Sequence, residues 1–181
     1  MALIGRARCN FELENYQGVI GDTTGILSGD PQNIDALDLR GRAYVKLGKV
    51  NKGIMDLNLV IHEDRENIQA LISRGAAKAR GGQGPYAIND FQKALQIEPD
   101  LPVAYFNMAM VFMVYENYDT SIENFDKAIE LDEAYGEAYT RRGMAKMTSP
   151  KFDLSKACSD FELGEEHNDA LATEYIKKYC R

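Results

Sequence analysis

Residues 68–101 read IQALISRGAAKARGGQGPYAINDFQKALQIEPDL, and the punctuation of this stretch decides the fold. Two apolar, helix-like segments flank Gly81-Gly82-Gln83-Gly84, which reads as a short turn between helices. Pro85 stands in the first turn of the following helix, where its missing N–H costs nothing. No strand precedes the glycines and no Lys-Ser/Thr pair follows them, so they do not form a phosphate loop. The stretch is one helix-turn-helix unit of 34 residues.

The same unit recurs on both sides. Small residues return every 34 positions at Ala7, Gly41, Gly75, Ala109 and Gly143. Large ones keep the step at Leu3, Leu37, Leu71, Tyr105 and Tyr139, and again at Thr23, Leu57, Phe91 and Phe125. Phe161 continues the last column after a step of 36, which places about two inserted residues near Thr148-Ser149-Pro150. A fixed step over so many columns marks a repeat array. In residues 102–135, Tyr105, Met108, Ala109 and Phe112 share one helical face, a turn falls at Glu116-Asn117, and Ile122, Phe125, Ala128 and Ile129 follow. The short columns have a packing reason, since helices approach closely only where side chains are small. Asn33, Asn67 and Asp100 stand where N-caps are wanted.

Ala70-Leu71, Gly75, Ala87, Phe91, Ala94 and Pro99 resemble the tetratricopeptide repeat family, and the resemblance runs from residue 1 to about 166. It implies an all-α, right-handed superhelical solenoid. The expected array is one domain over residues 1–181, with units at about 1–33, 34–67, 68–101, 102–135 and 136–168. Residues 169–180 look like the solvating cap helix that closes such arrays. The first unit departs from the pattern, with Asn10, Thr23 and a second helix weakened by Gly18, Gly21 and Gly25. With nothing ahead of Met1, that unit is expected to be frayed or cut from a longer chain.

Composition agrees with a folded array: 181 residues, 45% hydrophobic, 27% charged and no Trp. Met108 to Tyr115 is the longest run without a charged or turn residue, far short of the roughly 20 residues of a membrane span. The amino terminus lacks the order of a secretory signal. The net charge of −7 has the wrong sign for binding nucleic acid or an anionic membrane through counterion release. Cys9, Cys158, Cys180, His62 and His167 fit no zinc spacing, so no metal and no cofactor are expected. His62 and His167 read as surface residues.

The resemblance implies a non-enzymatic scaffold that binds a protein or peptide in a concave groove lined by the first helix of each unit. Three groove columns result from the repeat step. They are Ile4, Asp38, Ile72, Phe106, Thr140; Arg8, Arg42, Ala76, Met110, Met144; and Phe11, Val45, Ala79, Met113, Met147. From Ala104 to Tyr115 only Asn107 is strongly polar, and a helix apolar all round is covered on both sides. Ile72, Phe106, Met110, Met113, Met144 and Met147 are therefore the expected partner site, flanked by Arg42 and Arg80, which would favour an acidic ligand. Three outcomes stay open: packing of this patch under the cap helix or within a tightly wound groove, a partner, or self-association into a homo-oligomer. Only Asn107 and Arg141 match the pattern of family members that clamp the carboxylate tail of heat-shock chaperones, so that partner is not expected.

Cys158 and Cys180 fall at similar heights if their helices run antiparallel around a turn near Glu165 to Asn168. A bridge and two reduced thiols are both compatible with this placement. The Lys-Lys-Tyr-Cys ending is similar to that of some bacterial members of the family, many of them exported. A bridge would imply export, and its absence a cytoplasmic protein. Cys9 reads as a buried small hydrophobe.

Overall fold

The computed structural model describes residues 2–151 and 153–180, so the outer limits of the expected array, Met1 and Arg181, lie outside the described residues. Among the described residues there are eleven α-helices and no strand. The chain divides into two compact units, one ending at Ile97 and the other beginning at Glu98. The first holds α1 (Ala2–Glu12), α2 (Tyr16–Gly29), α3 (Ile34–Lys46), α4 (Val50–Glu63), α5 (Ile68–Arg80) and α6 (Gly84–Ile97). The second holds α7 (Pro102–Val114), α8 (Tyr118–Leu131), α9 (Gly136–Thr148), α10 (Leu154–Glu166) and α11 (Ala170–Tyr179). Odd and even helices pair within repeats, and α11 packs on α10 and α9.

Asparagine starts several helices. Asn33 and Asn67 accept from the backbone N–H of Ala36 at 3.1 Å and of Ala70 at 2.9 Å, each satisfying an orphan donor. The expectation for Asp100 is corrected. Leu101 is the N-cap of α7 and makes no side-chain cap bond, while Pro102 leads the helix. Proline at that position removes one of the donors a cap would serve.

The turns inside repeats share one backbone device. Glu14, Gly48, Gly82 and Glu116 each follow the first helix of their repeat by the same offset, and their φ angles are 56°, 71°, 74° and 58°. Only this left-handed residue reverses the chain within so few positions. The fifth repeat has Pro150 at the equivalent place, and proline holds φ near −65°. There α9 ends at Thr148 and α10 begins at Leu154.

The small-residue column is where paired helices touch. A Cβ added at Gly75 would lie 2.5 Å from Cε1 of Phe91, and one at Gly143 would lie 2.7 Å from Cε1 of Phe161. Phe91, Phe125 and Phe161 are fully buried, one in each of α6, α8 and α10. Leu3, by contrast, is 39% exposed although it shares the large-residue column.

A second periodic feature crosses this apolar core. Arg40 in α3 grips Asp56 in α4 through Nε and Nη2 at 2.7 and 2.8 Å, and Arg74 in α5 grips Asp90 in α6 at 2.9 and 2.7 Å. Arg6 holds Asp22 in the first repeat, and Arg142 holds Asp160 in the fifth. These forks tie the two helices of a repeat together, with the geometry that makes Arg–carboxylate pairs strong. Lys78 and Lys146 add a second cation on Asp90 and Asp160, each at 2.8 Å. Asn10 donates to Asp22 at 3.1 Å in place of that cation, so a residue that departs from the repeat pattern completes the first clamp. Arg6 holds the Asp22 carboxyl below the usual carboxylate range by hydrogen bonding, against the opposing effect of burial. In the fourth repeat Met108, Phe112 and Asn124 stand where the third has Arg74, Lys78 and Asp90. There the clamp is replaced by apolar packing.

Candidate functional site

The first helices of the first unit carry a small cavity of about 270 Å³ between α1 and α3. Arg8, Phe11 and Glu12 form one wall, Asp35, Asp38 and Arg42 the other, and Leu39 lies among them. Helical spacing explains the grouping, because residues three and four apart share a face. Arg42 stands over the Phe11 ring at 4.5 Å and donates from Nη1 to Oδ2 of Asp38 at 3.1 Å. The other carboxylate oxygen, Oδ1, is buried and meets no donor among the described residues. Burial pushes the Asp38 carboxyl up, Asp35 adds to this, and Arg42 opposes it without cancelling it. Arg8 pairs with Asp35 at 3.3 Å, both exposed.

Two of the expected flanking cations are already engaged. Arg42 is held by Asp38 and Phe11, and Arg80 donates from Nη1 to the carbonyl of Val45 at 3.0 Å, capping the end of α3. Both cations thus already have partners within the chain. Ile72 in α5 is 8% exposed and is not an open anchor. A larger cavity of about 760 Å³ lies among α4, α5 and α6, bordered by Asn58, His62, Arg65, Arg74 and Lys93. Its Arg74 is spent on Asp90 and on Asn58, which accepts from Nη1 at 2.9 Å.

In the second unit, the extra apolar face of α7 is covered more than its sequence suggests. Phe106 is 8% exposed, meets Phe125 edge-on at 5.6 Å, and stacks on Tyr135 at 5.0 Å. Tyr135 lies outside the columns used to locate the site, so its cover was not foreseen. Its phenol is pushed up to about 12 by burial, with Glu137 and Asp132 adding to the effect. Met110 and Met113 are half-buried against the same cluster. Met144 and Met147 are half-buried against Ala157, Phe161 and Ile176, so the end helices partly cover them.

A disulfide joins Cys158 to Cys180, whose Cα atoms are 5.7 Å apart, and so fixes α11 to α10. Cys9 is exposed and free. Its expected burial is corrected: Ala7 faces the core, and a residue two positions later lies on the opposite side of the helix. His62 is exposed, whereas His167 is half-buried and stacks on Tyr139 at 5.5 Å. No helix of the described residues is long and apolar enough to cross a membrane.

Paired helices at a constant sequence step, with short residues at the contacts and side-chain clefts on the first helices, define a helical repeat protein. Residues 102–135 match the tetratricopeptide repeat model. Small glutamine-rich tetratricopeptide repeat-containing protein 2 of Mycosarcoma maydis is 28% identical over 92 residues, covering 51% of this chain. That match spans only 25% of the fungal relative's length. A solved repeat protein from Thermus thermophilus superposes with a TM-score of 0.80 at 14% identity, over 99% of this chain and 97% of that one. YrrB, a repeat protein with an unusual peptide-binding site, superposes with a TM-score of 0.71 at 17% identity, over 98% and 91%. Residues 102–135 are thus a tetratricopeptide repeat, and the chain shares the fold of solved tetratricopeptide repeat proteins.

Proposed function

We propose that this chain is a non-enzymatic protein-interaction scaffold that holds a segment of a partner against the first helices of its repeats. The observation that carries the reading is the side-chain-sized cavity between α1 and α3, whose lining comes from first helices alone. In the second unit, Met110, Met113, Met144 and Met147 lie half-buried on the first helices α7 and α9. Thioether side chains of this kind repack around different ligand shapes. Phe106 is buried in the cluster that carries Met110 and Met113, Ile72 is buried on α5, and Arg42 and Arg80 shape the first unit's face. The family is generally non-enzymatic, and the fold shared with peptide-binding YrrB supports the same reading.

An array of short immobilised peptides, probed with the labelled full chain, tests it. A subset should be captured. Capture should weaken with Phe11→Ala, or with Met110→Lys and Met113→Lys together, at unchanged helicity. Met55→Lys and Leu59→Lys should leave capture intact, because those exposed residues belong to α4, a second helix. Failure to capture any peptide, or sensitivity to the α4 changes instead, would overturn the proposal.

A further inference from the structure

We infer that the cavity between α1 and α3 seats a lysine side chain of the bound segment. This rests on the scaffold reading and names the chemistry of one anchor. A volume of about 270 Å³ is below the roughly 300–1,000 Å³ of small-molecule sites and suits one long side chain better than a metabolite.

The charges around the cavity are unequal. Three carboxylates, Glu12, Asp35 and Asp38, face two guanidinium groups, Arg8 and Arg42. Each Arg is already matched to an acid of its own, Arg8 to Asp35 and Arg42 to Asp38. What remains unfilled is acceptor capacity: the buried Oδ1 of Asp38 and the exposed carboxylate of Glu12. A buried carboxylate oxygen without a donor is costly, and a ligand that supplies a donor recovers that cost on binding. The raised pKa of Asp38 points the same way, since its negative charge is under-compensated in the free protein.

The geometry selects lysine over arginine. A guanidinium binds a carboxylate most strongly as a fork on both oxygens, and Arg42 already occupies Oδ2 of Asp38. An ammonium is a compact charge with three donors and can serve Oδ1 alone while reaching towards Glu12. The half-buried Arg42 side chain shifts to admit it, and the Phe11 ring flanks the lysine's methylene stem.

The test is independent of the peptide array. Nα-acetyl-lysine amide is titrated into the isotope-labelled full chain and followed by backbone amide NMR. The controls are the acetylated norleucine and arginine amides, together with norleucine amide bearing a free amino terminus. Lysine should shift the amides of Phe11, Asp38 and Arg42 saturably. Acetyl-norleucine and Asp38→Asn should each weaken this by about tenfold or more, equivalent to about 1.4 kcal/mol. Comparison of ligands on the unaltered protein stands even if a variant misfolds. Equal shifts from acetyl-norleucine or acetyl-arginine, no saturable shift at these residues, or unchanged affinity in a folded Asp38→Asn variant would each overturn the lysine seat. Stronger binding of the free amino terminus would overturn it too. None of those results bears on capture of peptides elsewhere on the first helices, so the two proposals fail separately.

Discussion

Replacing Asp90 with Asn should cost the first unit a large part of its stability. Asp90 is 1% exposed and accepts from Arg74 at 2.9 and 2.7 Å and from Lys78 at 2.8 Å. Both cations are themselves mostly buried, with side-chain exposures of 13% and 16%. Removing one partner of a buried ion pair costs roughly 3–5 kcal/mol, because the remaining charge is left uncompensated. A domain of this size has about 5–15 kcal/mol in all, so the change should be plain. The fourth repeat supplies the rescue. Arg74→Met, Lys78→Phe and Asp90→Asn together reproduce its Met108, Phe112 and Asn124 and remove every stranded charge. Exchanging a buried ion network for packed apolar groups is often neutral or stabilising. Urea unfolding followed by far-UV circular dichroism reads both variants, with the midpoint compared at constant slope. A loss below about 1 kcal/mol for Asp90→Asn, within the range of an exposed ion pair, would refute the reasoning. A triple variant less stable than the single one would refute it as well.

Asp38→Asn should behave in the opposite way. Its folded pKa is raised by burial, so the folded state binds more protons than the unfolded one between the ordinary carboxylate value and the raised value. Stability therefore falls as pH rises through that window, and Asp38→Asn should flatten that part of the profile and be neutral or mildly stabilising at neutral pH. Substantial destabilisation there would count against the under-compensated charge. Asp22 is the reverse case: Arg6 depresses its pKa, so its contribution is present above the ordinary carboxylate value and lost as pH falls through the folded value. The acid limb of unfolding should shrink in Asp22→Asn. Gly21→Ala should stabilise α2 by about 1 kcal/mol, since the added Cβ meets nothing within 4 Å. Gly75→Ala should cost roughly 1–3 kcal/mol, because its Cβ would collide with Phe91, and equal midpoints for the two glycine variants would contradict this. Thiol titration of the unfolded, unreduced protein should find one reactive group, Cys9, and reduction should lower stability by about 3 kcal/mol if the loop-closure account of the Cys158–Cys180 bridge holds.

The repeat step was legible because packing leaves its mark at fixed intervals, in Gly41, Gly75, Phe91 and Phe125. The Arg–Asp clamps were equally periodic, at Arg6, Arg40 and Arg74 with Asp22, Asp56 and Asp90. They were missed because charged columns read as solvated surface until the partner helix is in place. The cover over Phe106 was illegible for a different reason. Tyr135 reaches it from the start of α9, and no face drawn on α7 alone contains that residue. Met144 and Met147 depended in the same way on α10 and α11. Arg42 and Arg80 stood in the expected columns, but a column cannot show that Asp38 and the Val45 carbonyl already hold them. Asp38 was placed in a groove column without distinction, since an unmatched oxygen is a property of three-dimensional neighbours.

Amide hydrogen exchange of the full chain, with and without a captured peptide, tests most directly whether the first helices bind the partner. The slowing should concentrate in first helices, in α1 and α3 for a peptide seated in the first unit and in α7 and α9 for one seated in the second. Slowing confined to the second helices α2, α4, α6, α8 and α10, with the first helices unchanged, would contradict the account.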